Sequence, residues 1–184
     1  MSKKAQSGMP YPIGKQVPHE ELKSVIQRVL KEVPVEFGAT STDLDVVVQP
    51  DDLLRFVTGL KERKELAFDF LRNIAGVDFG EEGMALKYHF YSFKHGHALQ
   101  VTVPLRAAGE PHPVVPSLTS LYPAANWHER EAHEMFGIDF EGHPNLKNLL
   151  LEEDLHIHPL LKAHPLQAAE ILQGIESGPP GFTF

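Results

Sequence analysis

The chain has 184 residues, 42% hydrophobic and 23% charged, with no cysteine and a net charge of −8 from 25 acids against 17 lysines and arginines. This composition suits a globular protein of one domain or slightly more, and it argues against a nucleic-acid binder or a chain that adheres directly to an anionic membrane surface. Without cysteine the chain offers no disulfide, thiol catalysis, cysteine-ligated iron–sulfur cluster or zinc finger, and no run approaches the ~18 uncharged apolar residues of a membrane span, so no direct membrane insertion is expected.

The N-terminal stretch "MSKKAQSGMPYPIGK" has two lysines but no apolar centre, so residues 1–17 read as a flexible N-terminus rather than a secretory signal. "PHEELKSVIQRVLKEV" places Leu22, Val25, Ile26, Val29 and Leu30 at helical spacing, with Pro18 before it and Pro34 ending it. "DLDVVVQP" is β-branched and predicts a strand stopped by Pro50. "DDLLRFVTGLKER" predicts a second amphipathic helix, with acids in its first turn and cations in its last, as the helix dipole prefers. In "LAFDFLRNIAGVDF" the alternation of Leu66, Phe68 and Phe70 favours the start of a strand, with a helix as the alternative. "MALKYHFYSF" and "HALQVTVPL" alternate on either side of "KHG" and predict a hairpin.

Ten of the eleven histidines fall between His89 and His164, and ten of the fifteen prolines lie from Pro104 onward. The pattern predicts an α+β fold, with N-terminal helices packed on a mixed or antiparallel sheet, then a short helix, then an extended Pro-rich C-terminal segment. The divisions expected are 18–137 for the α+β domain and 138–184 for a partner-binding segment, in which "AAEILQGIES" forms a short amphipathic helix.

The stretch "NWHEREAHEMFGIDFEGHPNLKNLL", Asn126 to Leu150, is dense in histidines and carboxylates and invites a metal reading. Asn126 with Glu129 has the spacing of a capping box, and Gly137 suits the position that closes a helix, which predicts a helix from Trp127 to Phe136. His128 and His133 are five residues apart, about 140° around such a helix, so they cannot share a metal as histidines at i and i+4 do. Glu129 with His133 and Arg130 with Glu134 have the i, i+4 spacing of surface pairs, which favours structural ion pairs. "HIHP" at His156 to Pro159 provides two imidazoles, too few for a site. "HGH" at His95 to His97 sits at the expected hairpin tip, where polar residues are ordinary. Gly76, Gly80 and Gly83 have the wrong spacing for a dinucleotide-binding loop. The remaining enzymatic reading, a His/Glu metal-dependent hydrolase, requires stoichiometric metal on the isolated chain.

The same stretch resembles the signature of the thirty-kilodalton subunit of respiratory complex I, the NADH:quinone oxidoreductase. The resemblance rests on Glu129, Arg130, Glu131, Glu134, Met135, Phe136, His143, Lys147, Leu149 and Leu150, which match the family pattern without a mismatch. Gly137, Gly142 and Pro144 lie within it. The run-in "SLTSLYPAANW" and the segments "AGVDF", "KYHFYSF" and "LQVTVPL" are similar too, so the likeness covers roughly Leu66 to Leu166. A departure comes at "HPLLKAHPL", where Leu161, Ala163 and His164 replace an arginine, an aspartate and an aromatic residue that the family often has there.

The resemblance implies a non-catalytic subunit in the peripheral arm of an NADH:quinone oxidoreductase. It implies no cofactor on this chain, with FMN, iron–sulfur clusters and quinone on other subunits. The implied partners are the hydrogenase-like large subunit and the small iron–sulfur subunit, holding the chain peripherally on the cytoplasmic side of the membrane. Relatives of the family also serve membrane-bound hydrogenases, formate hydrogenlyases and reduced-deazaflavin or ferredoxin dehydrogenases. On this reading Met135, Phe136, Ile138 and Phe140 either anchor an interface or close the domain's own core, Arg130 forms a network with Glu129, Glu131 and Glu134, Gly142, His143 and Pro144 fix a turn, and Lys147 reaches toward a partner carboxylate.

Overall fold

A computed structural model describes residues 19–38, 43–108, 111–152 and 157–163. Two helices, α1 (His19–Val29) and α2 (Pro50–Glu62), pack on a five-stranded mixed sheet. Its strands are β1 (Glu36–Gly38), β2 (Leu44–Val47), β3 (Phe70–Asp78), β4 (Met84–Ser92) and β5 (His97–Leu105), in the order β1-β2-β5-β4-β3. The β3–β4, β4–β5 and β1–β2 pairs are antiparallel, whereas β2 runs parallel to β5. A short parallel pair, β6 (Val114–Pro116) and β7 (Asp139–Glu141), flanks the third helix, α3 (Ala125–Phe136). The fold is therefore α+β.

The two N-terminal helices form where their apolar spacing predicts. Leu22 and Ile26 of α1 and Leu53, Phe56, Val57 and Leu60 of α2 are buried in one core with Val46, Tyr88, Phe90, Leu99, Val101 and Val103, α1 lying on β2 and α2 on β5. The alternation in β4 and β5 puts Leu86, Tyr88, Phe90, Leu99, Val101 and Val103 on this face and leaves Lys87, His89, Tyr91, Gln100 and Thr102 half-buried on the other.

In the sheet and its connections the structure departs from expectation in three places. Pro50 does not stop a strand: β2 ends at Val47, and Pro50 opens α2, where its missing N–H costs nothing. Leu66 and Phe68 are buried but precede β3, in a turn where Ala67 adopts φ 45° and Phe68 N–H donates to the Leu60 carbonyl. The alternation there comes from a turn pressed into the core, and the strand begins at the exposed Phe70. His97 is not a surface residue of the hairpin. It is buried, its ring lies 4.9 Å from that of Phe68, and burial holds its pKa below the ordinary value.

Ile138 and Phe140 close the chain's own core, both buried in the cluster that includes Val115, Leu118 and Ala125, with Phe140 paired to Val115 across β6 and β7. Among the described residues no helix is long and apolar enough to cross a membrane. The expected helix in "AAEILQGIES" lies outside the described residues.

Candidate partner-docking site

Helix α3 carries the signature, and its ends obey local rules only in part. Gly137 adopts the left-handed conformation (φ 66°, ψ 40°) and its N–H caps the His133 carbonyl, as a helix-closing glycine does. The left-handed backbone and the His158 ring, 2.8 Å from where a Cβ would sit, both favour glycine there. The capping box does not form. The helix begins at Ala125 with Ala124 as its cap, and Asn126 already lies inside the first turn.

Glu129 points into the core instead. It is 0% exposed, and its carboxylate accepts hydrogen bonds from Ser117 Oγ (2.6 Å) and the Leu118 N–H (2.7 Å). These bonds tie the segment after β6 to α3. No cation pairs with Glu129 among the described residues, so burial dominates and raises its pKa from 4.5 to about 7, against the lowering effect of its two donors. Among the described residues the nearby buried Tyr88 hydroxyl has no hydrogen-bond partner; burial, and secondarily the Glu129 charge, raise its pKa.

The expected network of Arg130 with Glu129, Glu131 and Glu134 is absent, and so is the Arg130–Glu134 pair. Arg130 and Glu134 each grip the loop after β7. Arg130 Nε donates to the Lys147 carbonyl (2.8 Å) and Nη2 to the Asn148 carbonyl (2.7 Å). The Glu134 carboxylate is buried and accepts the N–H groups of Leu149 and Leu150. Successive backbone groups of residues 147–150 are thus held by a cation and an anion one turn apart on α3. A helix surface provides this spacing, while a direct pair between the two side chains would leave the loop's carbonyls and amides without partners.

The turn into this loop is built from the residues expected for it. Gly142 has φ 82°, and the His143 N–H donates to the Phe140 carbonyl. The Asn145 N–H donates to His143 Nδ1 (3.1 Å), so His143 Nε2 donates to the Asn126 carbonyl (3.2 Å). Burial, opposed by that bond but reinforced by Arg130 and His133, keeps the His143 pKa below its ordinary value and suits this neutral tautomer. Pro144 and Lys147 are exposed.

Met135 and Phe136 are half-buried where α3 packs on β3. The Phe136 ring lies where only glycine permits: a Cβ on Gly76 would fall 2.4 Å from it. Around this framework several large apolar side chains face outward. Leu150 is 66% exposed and Trp127 59%, with the Arg130 guanidinium 5.5 Å from the Trp127 ring centre. Leu160 is exposed as well, and its N–H donates to the Met135 carbonyl.

By sequence Trp127 marks the start of the helix and the 157–163 segment a departure from the family pattern; the structure gives both a place at the site. His158 Nδ1 bonds the Glu134 carbonyl (2.9 Å), Leu161 is buried, and the Lys162 N–H donates to Asp78 Oδ2 (2.8 Å). The His112 and His158 rings lie 5.2 Å apart, and His133 Nδ1 contacts the Ile138 carbonyl (3.0 Å) and Asp139 Oδ1 (3.3 Å). Among the described residues no group of three or more His, Cys, Asp or Glu is arranged to hold a metal ion. His156 lies outside the described residues.

Comparison with known proteins bears on this arrangement. The family model described as "Respiratory-chain NADH dehydrogenase, 30 Kd subunit" matches residues 46–170. An NADH-quinone oxidoreductase subunit of Roseiflexus castenholzii is 43% identical over 131 residues, covering 70% of this chain and 74% of that protein. The equivalent NADH-quinone oxidoreductase subunit of Moorella thermoacetica is 41% identical over 143 residues, 77% of this chain and 92% of the relative. Among solved structures, the trypsin-resistant fragment (1-134) of Nqo5 superposes with a TM-score of 0.53 at 31% identity, covering 68% of this chain and 98% of the fragment. A chain of an archaeal respiratory membrane complex, the membrane-bound sulfane sulfur reductase, has the same fold, with a TM-score of 0.70 at 22% identity over 89% of this chain and 96% of that one. With its fold shared and its sequence matched from β2 through the signature helix and the gripped loop, this chain belongs to the family of the 30 Kd subunit of respiratory-chain NADH dehydrogenase.

Proposed function

We propose that the chain is a non-catalytic assembly subunit in the peripheral arm of a proton-translocating NADH:quinone oxidoreductase. In this reading it packs on the hydrogenase-like large subunit beside the small iron–sulfur subunit, on the cytoplasmic side of the membrane. FMN, the iron–sulfur clusters and quinone belong to other subunits. Beyond family membership, one observation supports this role: the 147–150 loop is gripped by Arg130 and Glu134 while Leu150 and Trp127 stay exposed beside it. A loop whose backbone is held rigid loses little entropy on docking, and large apolar side chains presented by such a loop form interface anchors.

The test is recovery of the tagged protein from its own membranes in mild detergent, with mass spectrometry of what accompanies it. An NADH-oxidising flavoprotein with cluster-bearing subunits is the expected result. A nickel–iron large subunit with intact metal ligands would move the chain to a hydrogenase-type complex, and recovery alone with bound metal would refute both. Arg130→Ala and Glu134→Ala each release one side of the loop. Each variant is expected to lower the amount of assembled complex several-fold while turnover per assembled complex stays normal, read by native gel against NADH oxidation. Full assembly with lost turnover would contradict the assembly role.

A further inference from the structure

Most polar groups of the signature are engaged within the chain: Glu129 with Ser117 and Leu118, Arg130 with the carbonyls of Lys147 and Asn148, Glu134 with the amides of Leu149 and Leu150, and His143 with Asn126. Glu131 differs. Its side chain is exposed, and among the described residues nothing pairs with its carboxylate. It stands four residues from both Trp127 and Met135, hence one turn from each along one line of α3. It also borders a groove of about 220 Å³ between α3 and β3, lined by Asn73, Ile74, Gly76, Met135, Phe136 and Leu160.

Resting on the docking role above, we propose that this groove seats an arginine side chain of the neighbouring subunit, its aliphatic stem on Met135 and Leu160 and its guanidinium on the Glu131 carboxylate. The charges select the occupant. A purely apolar side chain would strip water from Glu131 and return no partner. An anionic one is repelled by Glu131 and by a chain of net charge −8. Between the two common cations, arginine fits better. Its planar fork meets a carboxylate through paired hydrogen bonds, its head is more weakly hydrated than an ammonium, and it stacks on an aromatic face such as Trp127. A long apolar stem ending in a charge matches a groove that is apolar within and acidic at its edge.

The experiment places a photo-crosslinking amino acid at Leu160 of the full chain in its native complex and identifies the attached peptide by mass spectrometry. In parallel, Glu131→Gln is tested for retention of the chain as salt is raised. The expected peptide belongs to another subunit and carries an arginine within a few residues of the crosslink. Glu131→Gln keeps the Tm of the isolated chain but weakens its retention roughly tenfold or more. Replacing the partner arginine with alanine costs the same, and the combined variant loses no more than either alone. A crosslink to this chain's own segments, a peptide without arginine, or unchanged retention of Glu131→Gln overturns the proposal. In each of those cases the unsubstituted chain still migrates with the complex, whereas a chain that migrates alone refutes the docking role itself and the groove's occupant with it.

Discussion

Glu129→Gln is expected to leave stability near pH 4.5 almost unchanged and to raise it by about 3 kcal/mol at pH 8 relative to the parent chain. The cause is a carboxylate buried at 0% exposure with two donors and, among the described residues, no cation, which raises its pKa from 4.5 to about 7. The sign follows from proton counting. Between those two values the folded chain holds a proton that the unfolded chain has released, so stability falls as pH rises. The contribution of the protonated acid is complete below 4.5 and is lost as pH passes through about 7. Glutamine keeps an acceptor for the Leu118 N–H and offers its amide to Ser117, whose hydroxyl can turn to Thr119 Oγ1 at 2.8 Å. Glu129→Ala behaves differently. It leaves a void and an unsatisfied Leu118 N–H, costing about 2–4 kcal/mol near pH 4.5. This deficit shrinks by about 3 kcal/mol toward pH 8, as the parent loses stability while the alanine chain does not titrate there. Urea titrations of the three chains from pH 4.5 to 8 read all of this, and parallel curves for the parent and the glutamine variant would sink the account.

Gly76→Val is expected to destabilise the chain by about 3 kcal/mol, although valine is the better strand residue. The reason is steric: the new Cβ would fall 2.4 Å from one carbon of the Phe136 ring and 2.6 Å from another, so helix and strand must separate or the ring must leave its place. Phe136→Ala alone removes a half-buried ring and costs about 2 kcal/mol. Combined, the two changes relieve each other. The double variant should be more stable than the sum of the single effects predicts by about 1–2 kcal/mol. Additive effects in denaturant titrations would mean that the α3–β3 contact is loose enough to yield.

The elements that were legible in the sequence are those with long, regular periodicity. Leu22 with Ile26, and Leu53, Phe56, Val57 and Leu60, repeat at helical spacing and bury where that spacing says. The nine-residue strands β4 and β5 alternate around a tight connection and pair as a hairpin. The three-residue strands β1, β6 and β7 are too short for any period to emerge, and only tertiary pairing defines them, β1 on β2 and β6 with β7. The parallel pairing of β2 with β5 joins Leu44 to Leu99 across more than fifty residues, and nothing local encodes it. Leu66 and Phe68 misled for a related reason: alternation reports burial on every second residue, and a turn folded into the core produces it as readily as a strand.

The site divides along the same line. Sequence alone determined the family, through the spacing of Glu129, Arg130, Glu131 and Glu134 ahead of His143, Lys147, Leu149 and Leu150, and it determined the helix and the glycine that closes it. Only the tertiary structure decided what each charge does. Four charges on one helix offer many i, i+4 pairings, and local rules favour pairing them with one another. Once the 147–150 loop lies against α3 and the segment after β6 lies under it, the backbone amides and carbonyls of those segments need partners more than the side chains need each other. That need turns Glu129 inward, draws Arg130 and Glu134 onto the loop, and leaves Glu131 facing out.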